Sequence, residues 1–433
     1  SKPYVGKIRY WDGSTAIDRW VVVAAGGMAF NDGNANDTEG KAVFVIDAST
    51  GELIWLVGYS AGGASDNAAT VHIDTQLDAT YGGPGVRYLT AKAEFNYAIP
   101  SSITPVDRDS DGFLDTIYFT NVAGHLFKAD ISDSAPANWK TYQIFKKDNS
   151  AYAAQSTIGT ISGNVIRVAN ANGFEENQNV YGLTSKAMGI IDAIANKDLT
   201  VTTISPAASF VAGEVIVVPT IEPVFLSPAV FFASCFNLWA AIGSGDRIRS
   251  RTNPTSGKFI AVRDGTTTVS SATMHKTDIL LSDLVQVTWS DSLLAETNIK
   301  VAGKWGWYFN FPDADNYEKL FDPDPIVLPD LNLVPHIYFN TYQPLGENQS
   351  TECNAPKEGK MFFYDVAVNY CGNGMVSGSL ESGRIAGGGM FQGSEYVLYE
   401  GTGNVASIPP LQEIKPIKLI YTGGLLFLKE KKR

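Results

Sequence analysis

The sequence predicts an all-β protein, a distorted β-propeller of about seven blades that carries a small inserted β-rich module. Three observations lead to this prediction. The chain is rich in glycine and aromatic residues, with 41 Gly, 22 Phe and 19 Tyr, and only 18% of its residues are charged. Short β-branched or aromatic runs recur between turn residues, and one segment of different composition interrupts them. This pattern is typical of many short strands joined by turns.

The repeat pairs a short apolar strand with a second strand that ends in a polar residue. RWVVVAAGG precedes KAVFVIDASTGELIW, DTIYFTNVAG precedes HLFKADI, LWAAIGSGD precedes KFIAVRD, and PHIYFNTYQ precedes KMFFYDV. In the first unit, Asp47, Ser49, Thr50 and Gly51 predict a tight hairpin turn. Residues 101–145 contain four strand-like runs in succession and predict one complete four-stranded blade. A β-sandwich array is the alternative arrangement of these strands.

The composition changes over residues 148–220, which are rich in Ala, Val, Thr, Asn and Ile. We expect an inserted all-β module here, because a structureless loop of this length is uncommon. Within it, LTSKAMGIIDAIANKD is compatible with a short helix. The predicted organisation is therefore a first part of the propeller over 1–147, the inserted module over 148–220, and the remainder of the propeller over 221–433. The first residues lack a signal-peptide core, so either a signal has been removed or the chain is a piece of a longer secreted protein. These residues are typical of mid-chain sequence, which favours the piece of a longer protein.

Charge and cysteine content restrict the classes of partner and compartment. The formal net charge is −12, and we expect no nucleic-acid binding because a basic face is missing. We expect no transmembrane segment, since no apolar run is long enough to span a bilayer. Cys353 and Cys371 are close enough in sequence for a disulfide in an oxidising compartment, with two unrelated thiols as the alternative. Cys235 lies in an apolar run and is expected in the core.

The most specific motif is the run DRDSDGFLD from Asp107 to Asp115. Alternate Asp residues in a tight loop direct their carboxylates inward, and Gly112 permits the sharp turn. Four carboxylates this close repel each other unless a cation is present, and Ca²⁺ takes about six to eight oxygen ligands. A solvated acidic turn is the alternative. The predicted calcium ligands are Asp107, Asp109, Asp111, the backbone carbonyl of Phe113, and Asp115.

The motif differs from an EF-hand, because Tyr118 stands at the twelfth position, where an EF-hand carries Glu, and a predicted strand follows. We therefore expect a calcium loop between two β-strands. A second acidic loop over residues 31–39 has looser oxygen spacing and is a weaker candidate for a cation site. We predict no enzymatic activity, because the chain has no H-E-x-x-H or G-x-S-x-G motif. Its histidines are scattered, at His72, His125, His275 and His336.

Several of these segments resemble the C-terminal propeller domain of the PilC/PilY family of type IV pilus proteins. The matching segments are GKAVFVIDASTGELIW, DRDSDGFLDTIYFTNVAGHLFKADI, LWAAIGSGDR with KFIAVRD, and GWYFNFP with HIYFNTYQP. The resemblance covers most of the chain outside 148–220 and implies a distorted propeller related to those of quinoprotein dehydrogenases. It matches the family's ligand positions to Asp107, Asp109, Asp111, the Phe113 carbonyl and Asp115.

The resemblance also implies a function in type IV pilus (fimbrium) biogenesis and cell adhesion. Calcium occupancy of the loop would regulate pilus extension and retraction, twitching motility and surface attachment. The implied partners are minor pilins at the pilus tip, with host or abiotic surfaces in addition. The implied location is extracellular, at the cell surface in association with the pilus or outer membrane.

Two other functions are compatible with a propeller. A quinoprotein-type dehydrogenase is disfavoured because such enzymes commonly carry an adjacent-cysteine disulfide, and this chain has no Cys-Cys pair. An integrin-like calcium-binding adhesin would repeat its Asp-rich loop from blade to blade. This chain has one strong copy of that loop, which favours the pilus function.

Overall fold

The computed structural model describes residues 1–11, 15–28, 40–58, 88–91, 97–147, 152–176, 178–185, 187–203, 209–219, 223–232, 238–245, 257–265, 276–287, 304–311, 319–329, 335–343 and 360–367, and short strands between 370 and 406. Across these residues the regular structure consists of β-strands and two short 3-10 turns, Pro136–Asn138 and Leu281–Asp283. The all-β prediction is confirmed.

The first sheet contains five strands in chain order. They are β1 (Tyr4–Trp11), β2 (Ala16–Ala25), β3 (Ala42–Asp47), β4 (Leu53–Gly58) and β5 (Tyr88–Ala91). Strands β1 to β4 are antiparallel, and β5 runs parallel to β4. The predicted turn between β3 and β4 is confirmed. The Asp47 carboxylate accepts hydrogen bonds from the N–H groups of Ser49 and Thr50, and Gly51 has a φ of 75°.

The second sheet is a four-stranded antiparallel meander. Its strands are β6 (Thr104–Val106), β7 (Thr116–Thr120), β8 (Leu126–Asp130) and β9 (Lys140–Phe145). The four-stranded unit predicted within residues 101–145 is therefore confirmed. Side chains alternate between the two faces of a strand. In β7, Ile117 and Phe119 are buried on one face in one hydrophobic cluster, and Tyr118 is buried on the other face in a second cluster.

A closed six-stranded barrel follows, inside the segment predicted as an inserted module. Its strands are β10 (Tyr152–Ser162), β11 (Val165–Val168), β12 (Asn179–Gly182), β13 (Met188–Ala195), β14 (Asp198–Thr203) and β15 (Val215–Pro219). They are arranged in the order β10-β11-β14-β13-β12-β15 around a core of their own, to which Ile158 and Ile216 belong. Tyr152 and Pro219 are register partners, so the chain enters and leaves the barrel at one place.

The short helix expected within LTSKAMGIIDAIANKD is wrong, because most of that segment forms β13 and the start of β14. Ile190, Ile191 and Ile194 lie in β13, and β-branched side chains favour a pleated strand over a helix. Ile191 is fully buried in the barrel core, so tertiary packing supports the strand.

The third sheet contains five strands in the order β16-β17-β18-β20-β19, with β19 parallel to β20. These are β16 (Ala229–Phe232), β17 (Leu238–Gly243), β18 (Lys258–Arg263), β19 (Val285–Gln286) and β20 (Gly306–Asn310). Its strand β17 also has two buried faces. Leu238 and Ala240 belong to one hydrophobic cluster, and Trp239 and Ala241 belong to another.

The fourth sheet contains β21 (Lys319–Pro329), β22 (Pro335–Gln343), β23 (Lys360–Ala367) and β26 (Gly383–Ala386), paired in that order. A hairpin of β24 (Tyr370–Cys371) and β25 (Gly374–Met375) precedes β26, and a three-stranded sheet of β27 (Gly388–Gln392), β28 (Glu395–Tyr399) and β29 (Val405–Ala406) follows it.

Hydrophobic clusters connect the four sheets in succession. One cluster joins the first and second sheets and includes Trp55 and Phe127. Another joins the second and third sheets. A third joins the third and fourth sheets, where Phe339 stacks between Phe259, at 4.3 Å, and Tyr364, at 4.8 Å between ring centroids. Each middle sheet therefore contributes opposite faces to two successive cores.

Candidate metal centre

The acidic loop Asp107–Asp115 is the connection between β6 and β7. Val106 and Thr116, which flank it, are register partners. The Asp115 N–H donates a hydrogen bond of 3.1 Å to the Val106 carbonyl, and the Asp115 carbonyl accepts one of 2.8 Å from the Ile131 N–H. Both ends of the loop are thus fixed by backbone hydrogen bonds to the second sheet and the residue that follows β8.

Hydrogen bonds from the backbone orient the first carboxylate of the loop. Asp107 Oδ1 accepts the Ser110 N–H at 2.7 Å, and its Oδ2 accepts the Gly112 N–H at 2.8 Å. This turn requires left-handed backbone at two positions, with a φ of 64° at Ser110 and 90° at Gly112. Gly112 adopts that conformation without steric cost, which is the physical reason for a glycine here.

The loop brings together the carboxylates of Asp107, Asp109 and Asp115, with one oxygen of each lying within 4.8 Å of the others. Asp107 and Asp115 are half-buried, and Asp109 is exposed. The backbone N–H of Arg108 donates to Asp115 Oδ2 at 2.7 Å, which fixes the carboxylate that closes the cluster. Three of the four predicted carboxylate ligands are therefore neighbours in space.

The fourth predicted carboxylate, Asp111, pairs with Arg9 on β1, at 2.6 Å between Asp111 Oδ2 and Arg9 Nη2. Asp111 Oδ1 accepts the N–H of Phe113, the residue whose carbonyl is the predicted neutral ligand. The Arg9 guanidinium also lies over the Phe113 ring, 4.9 Å from its centroid. The structure thus places Asp111 on a guanidinium of the first sheet, outside the group of three carboxylates.

Burial raises the pKa of the Asp115 carboxyl, and the neighbouring carboxylates of Asp109, Asp107 and Asp111 raise it further. The hydrogen bond from the Arg108 N–H opposes this effect. The closing carboxylate is therefore destabilised as an anion by its surroundings. A cation among the three carboxylates would reverse this effect.

The donor set fits a hard divalent cation. Oxygens around one calcium ion at about 2.4 Å lie no more than about 4.8 Å from each other. The three carboxylate oxygens meet that limit. Calcium also accepts backbone carbonyls and irregular geometry, whereas magnesium requires a near-octahedral arrangement at shorter distances. Asp107, Asp109 and Asp115 would hold the ion, and the ion would supply positive charge among them.

Sequence reasoning missed two features around this loop. Arg9 lies about a hundred residues before Asp111, and no local pattern indicates their contact. The second missed feature is a buried polar cluster between the second and third sheets. In it, Asp264 Oδ2 accepts hydrogen bonds from Lys128 Nζ and from the Tyr118 hydroxyl. The Lys-x-Asp pattern at the end of β8 is ordinary for an exposed strand end, so the sequence did not indicate that Lys128 is buried.

The other residues singled out from the sequence are packed beside aromatic rings, lie in strands, or fall outside the described residues. His125 is buried beside Tyr97 and Phe127, and His336 lies in β22 beside Tyr338. Cys371 lies in β24. The remaining predictions concern residues outside the described part: the acidic loop 31–39, His72, His275, Cys235 and Cys353.

Comparison with protein-family models and with curated proteins finds no match to this chain. Among the described residues, no helix combines the length and apolar character needed to cross a membrane.

Proposed function

We propose that this chain is a calcium-binding β-propeller domain of a type IV pilus biogenesis and adhesion protein, located at the cell surface. The observation that carries the proposal is the convergence of Asp107, Asp109 and Asp115 at one hairpin. The spacing of their oxygens suits one calcium ion. Asp111 and the Phe113 carbonyl lie in the same loop and are the further ligands of the proposed site.

The packing of the sheets supports a propeller. Four small, mostly antiparallel sheets follow one another along the chain, and each middle sheet buries opposite faces against its two neighbours. Blades of a propeller pack in this way around a central axis. In a β-sandwich, by contrast, each sheet buries one face and exposes the other. The barrel of β10 to β15 is inserted between two blades in this arrangement.

The pilus function is supported by the ordered segments that resemble the PilC/PilY family, of which the acidic loop with its following strand is the most specific. In the proposed function, calcium occupancy changes the charge and rigidity of the loop. A pilus component that prefers one state would then shift the balance between pilus extension and retraction.

Isothermal titration with calcium tests the metal site. We expect the intact chain to bind Ca²⁺ and the Asp109→Ala/Asp111→Ala variant to lose binding while keeping its β-sheet circular dichroism. Both side chains lie at the surface end of the loop, so their removal leaves the cores intact. Glu176→Ala, at an exposed acid of the barrel, is the matched control and should bind like the wild type. Unchanged affinity in the double variant would contradict the assignment.

A cellular assay tests the pilus function separately. In the bacterium that produces the protein, cells carrying Asp115→Ala are expected to change in twitching motility and in surface attachment. If pili extend and retract as in the parent strain although the variant protein no longer binds calcium, the regulatory function fails and the metal site stands. Glu176→Ala again serves as the control.

A further inference from the structure

The acidic loop is in contact with the edge strand β1 of a different sheet, through a backbone hydrogen bond, an ion pair, a cation–π contact and the side chain of Leu114 beside Gly6. The Leu114 N–H donates a hydrogen bond of 2.7 Å to the Lys7 carbonyl. Two residues further along β1, Arg9 pairs with Asp111 and lies over the Phe113 ring. The loop therefore connects the first and second sheets in addition to joining β6 to β7.

Arg9 supplies a positive charge to the one loop carboxylate that lies outside the group of three. Its guanidinium is 2.6 Å from Asp111 Oδ2, so this oxygen is engaged by a side-chain cation. The Arg9 side chain is 55% exposed, and water can therefore replace Asp111 as its partner at little cost. The Asp111 backbone N–H already donates to Asp109 Oδ1, which keeps Asp111 next to the cluster.

We propose that Arg9 is a positioning residue that competes with calcium for Asp111, and that the ion-free loop is held on β1 through this pair. This inference rests on the calcium-binding function proposed above. When calcium takes Asp111 as a ligand, Arg9 loses its partner on the loop. The loop keeps its backbone hydrogen bond and its ring contact to β1, and the Leu114 side chain still lies beside Gly6. By linkage, any contact that strengthens the pair weakens calcium binding by the same factor.

The Arg9–Asp111 pair thereby couples cation binding to the contact between two sheets. The strength of this coupling follows from the solvent exposure of the pair. A solvent-exposed ion pair changes an equilibrium by a factor of about two to five, and salt reduces that factor. Arg9 thus sets the calcium affinity to a moderate extent and makes it dependent on ionic strength.

Calcium titration of the intact chain and its Arg9→Gln variant tests this competition. We expect Arg9→Gln to bind calcium about two- to fivefold more tightly at low ionic strength, with a smaller difference at high salt. Lys7→Gln is the matched control, because it removes one positive charge from the same strand, and Lys7 Nζ lies over the Trp20 ring. The Lys7 variant should keep the wild-type affinity. In an Asp111→Asn background, Arg9→Gln should have no further effect.

A double-mutant cycle in chelator tests the pair without calcium. Arg9→Gln, Asp111→Asn and the double variant should show a coupling of about two- to fivefold in the unfolding constant. No coupling, or equal calcium affinity in the wild type and Arg9→Gln, would overturn the role of Arg9 while leaving a calcium-binding wild type as proposed. If neither the wild type nor Arg9→Gln binds calcium, the proposed function and this inference both fail.

Discussion

Lys128 Nζ lies 2.7 Å from Asp264 Oδ2 in the interior between the second and third sheets. Both side chains are almost fully removed from solvent, at 1% and 0% exposure. The Tyr118 hydroxyl donates to the same oxygen at 2.6 Å. Burial lowers the pKa of Lys128, and the Asp264 carboxylate opposes this effect. Burial and Asp264 both raise the pKa of Tyr118, which keeps its hydroxyl protonated as a donor. An ion pair thus joins β8 to the residue that follows β18.

We expect Lys128→Met to reduce the free energy of unfolding by about 3 to 5 kcal/mol, because it removes the Lys128 ammonium from the buried Asp264 carboxylate. Urea unfolding followed by tryptophan fluorescence measures the change. The Lys128→Met/Asp264→Leu variant should be less destabilised than Lys128→Met, since an apolar pair replaces both charges. Lys140→Met, at an exposed position of β9, is the control. A loss below about 1 kcal/mol for the single variant would show that the pair contributes little.

The environment of Glu214 predicts that the barrel loses stability at acid pH. Its carboxylate accepts hydrogen bonds from the N–H groups of Thr184, Ser185 and Val211 and from the Ser185 hydroxyl. Burial alone would raise the pKa of Glu214, but these hydrogen bonds outweigh it and hold the pKa below its ordinary value. The unfolded chain therefore binds this proton more tightly. The stabilisation is complete above the unfolded pKa of about 4.5 and is lost as the pH falls through the lower folded value.

Replacing Glu214 by Gln tests this limit. We expect Glu214→Gln to lower the stability of the barrel by about 2 to 3 kcal/mol at pH 7, because charged acceptors form the stronger hydrogen bonds. The loss should shrink at acid pH, where the wild-type carboxylate becomes protonated. Scanning calorimetry over a pH series measures both effects. Glu176→Gln should change neither, and a pH-independent loss in Glu214→Gln would contradict the linkage.

The backbone of the acidic loop predicts a cost for a side chain at Gly112. No atom would contact an added Cβ there, so the effect of Gly112→Ala is purely conformational. At a φ of 90°, we expect a loss of about 1 to 2 kcal/mol in stability and, if the proposed calcium site is correct, weaker calcium binding. Urea unfolding and calcium titration measure the two effects. Gly159→Ala, where a Cβ meets its nearest neighbour at 3.5 Å and φ is ordinary, is the control.

The barrel is expected to fold when residues 148–220 are produced alone. It has a closed sheet and a core of its own, which are the requirements of an independent domain. Residues 101–147 are the matched control and should stay unfolded, because both faces of that sheet pack on neighbouring sheets. In two-dimensional NMR spectra, well-dispersed amide resonances for the 148–220 fragment and poorly dispersed resonances for the 101–147 fragment would agree with this expectation. An unfolded barrel fragment would contradict the predicted inserted module.

The features predicted from the sequence are those encoded by neighbouring residues. The four strands of the second sheet follow from alternating apolar runs with turn residues between them, and the Asp47 turn follows from local side-chain acceptors. The acidic loop follows from its spacing alone. Long-range partners have no such pattern, so the pairing of Arg9 with Asp111 was not predictable. The helix expected in the β13 segment is wrong. The apolar residues there fit both the helical and the strand periodicity, and packing into the barrel core favours the strand.

The register pairing of Tyr152 with Pro219 has a consequence for how this chain can change in length. Because Tyr152 and Pro219 are register partners, the first and last strands of the barrel meet, and the barrel itself adds little distance between the segments before and after it. The barrel therefore lies outside the path that connects the surrounding sheets. We expect that a barrel of different size could be accommodated without moving these sheets. A different domain with adjacent termini would fit the same junction, and the rest of the molecule would keep its arrangement.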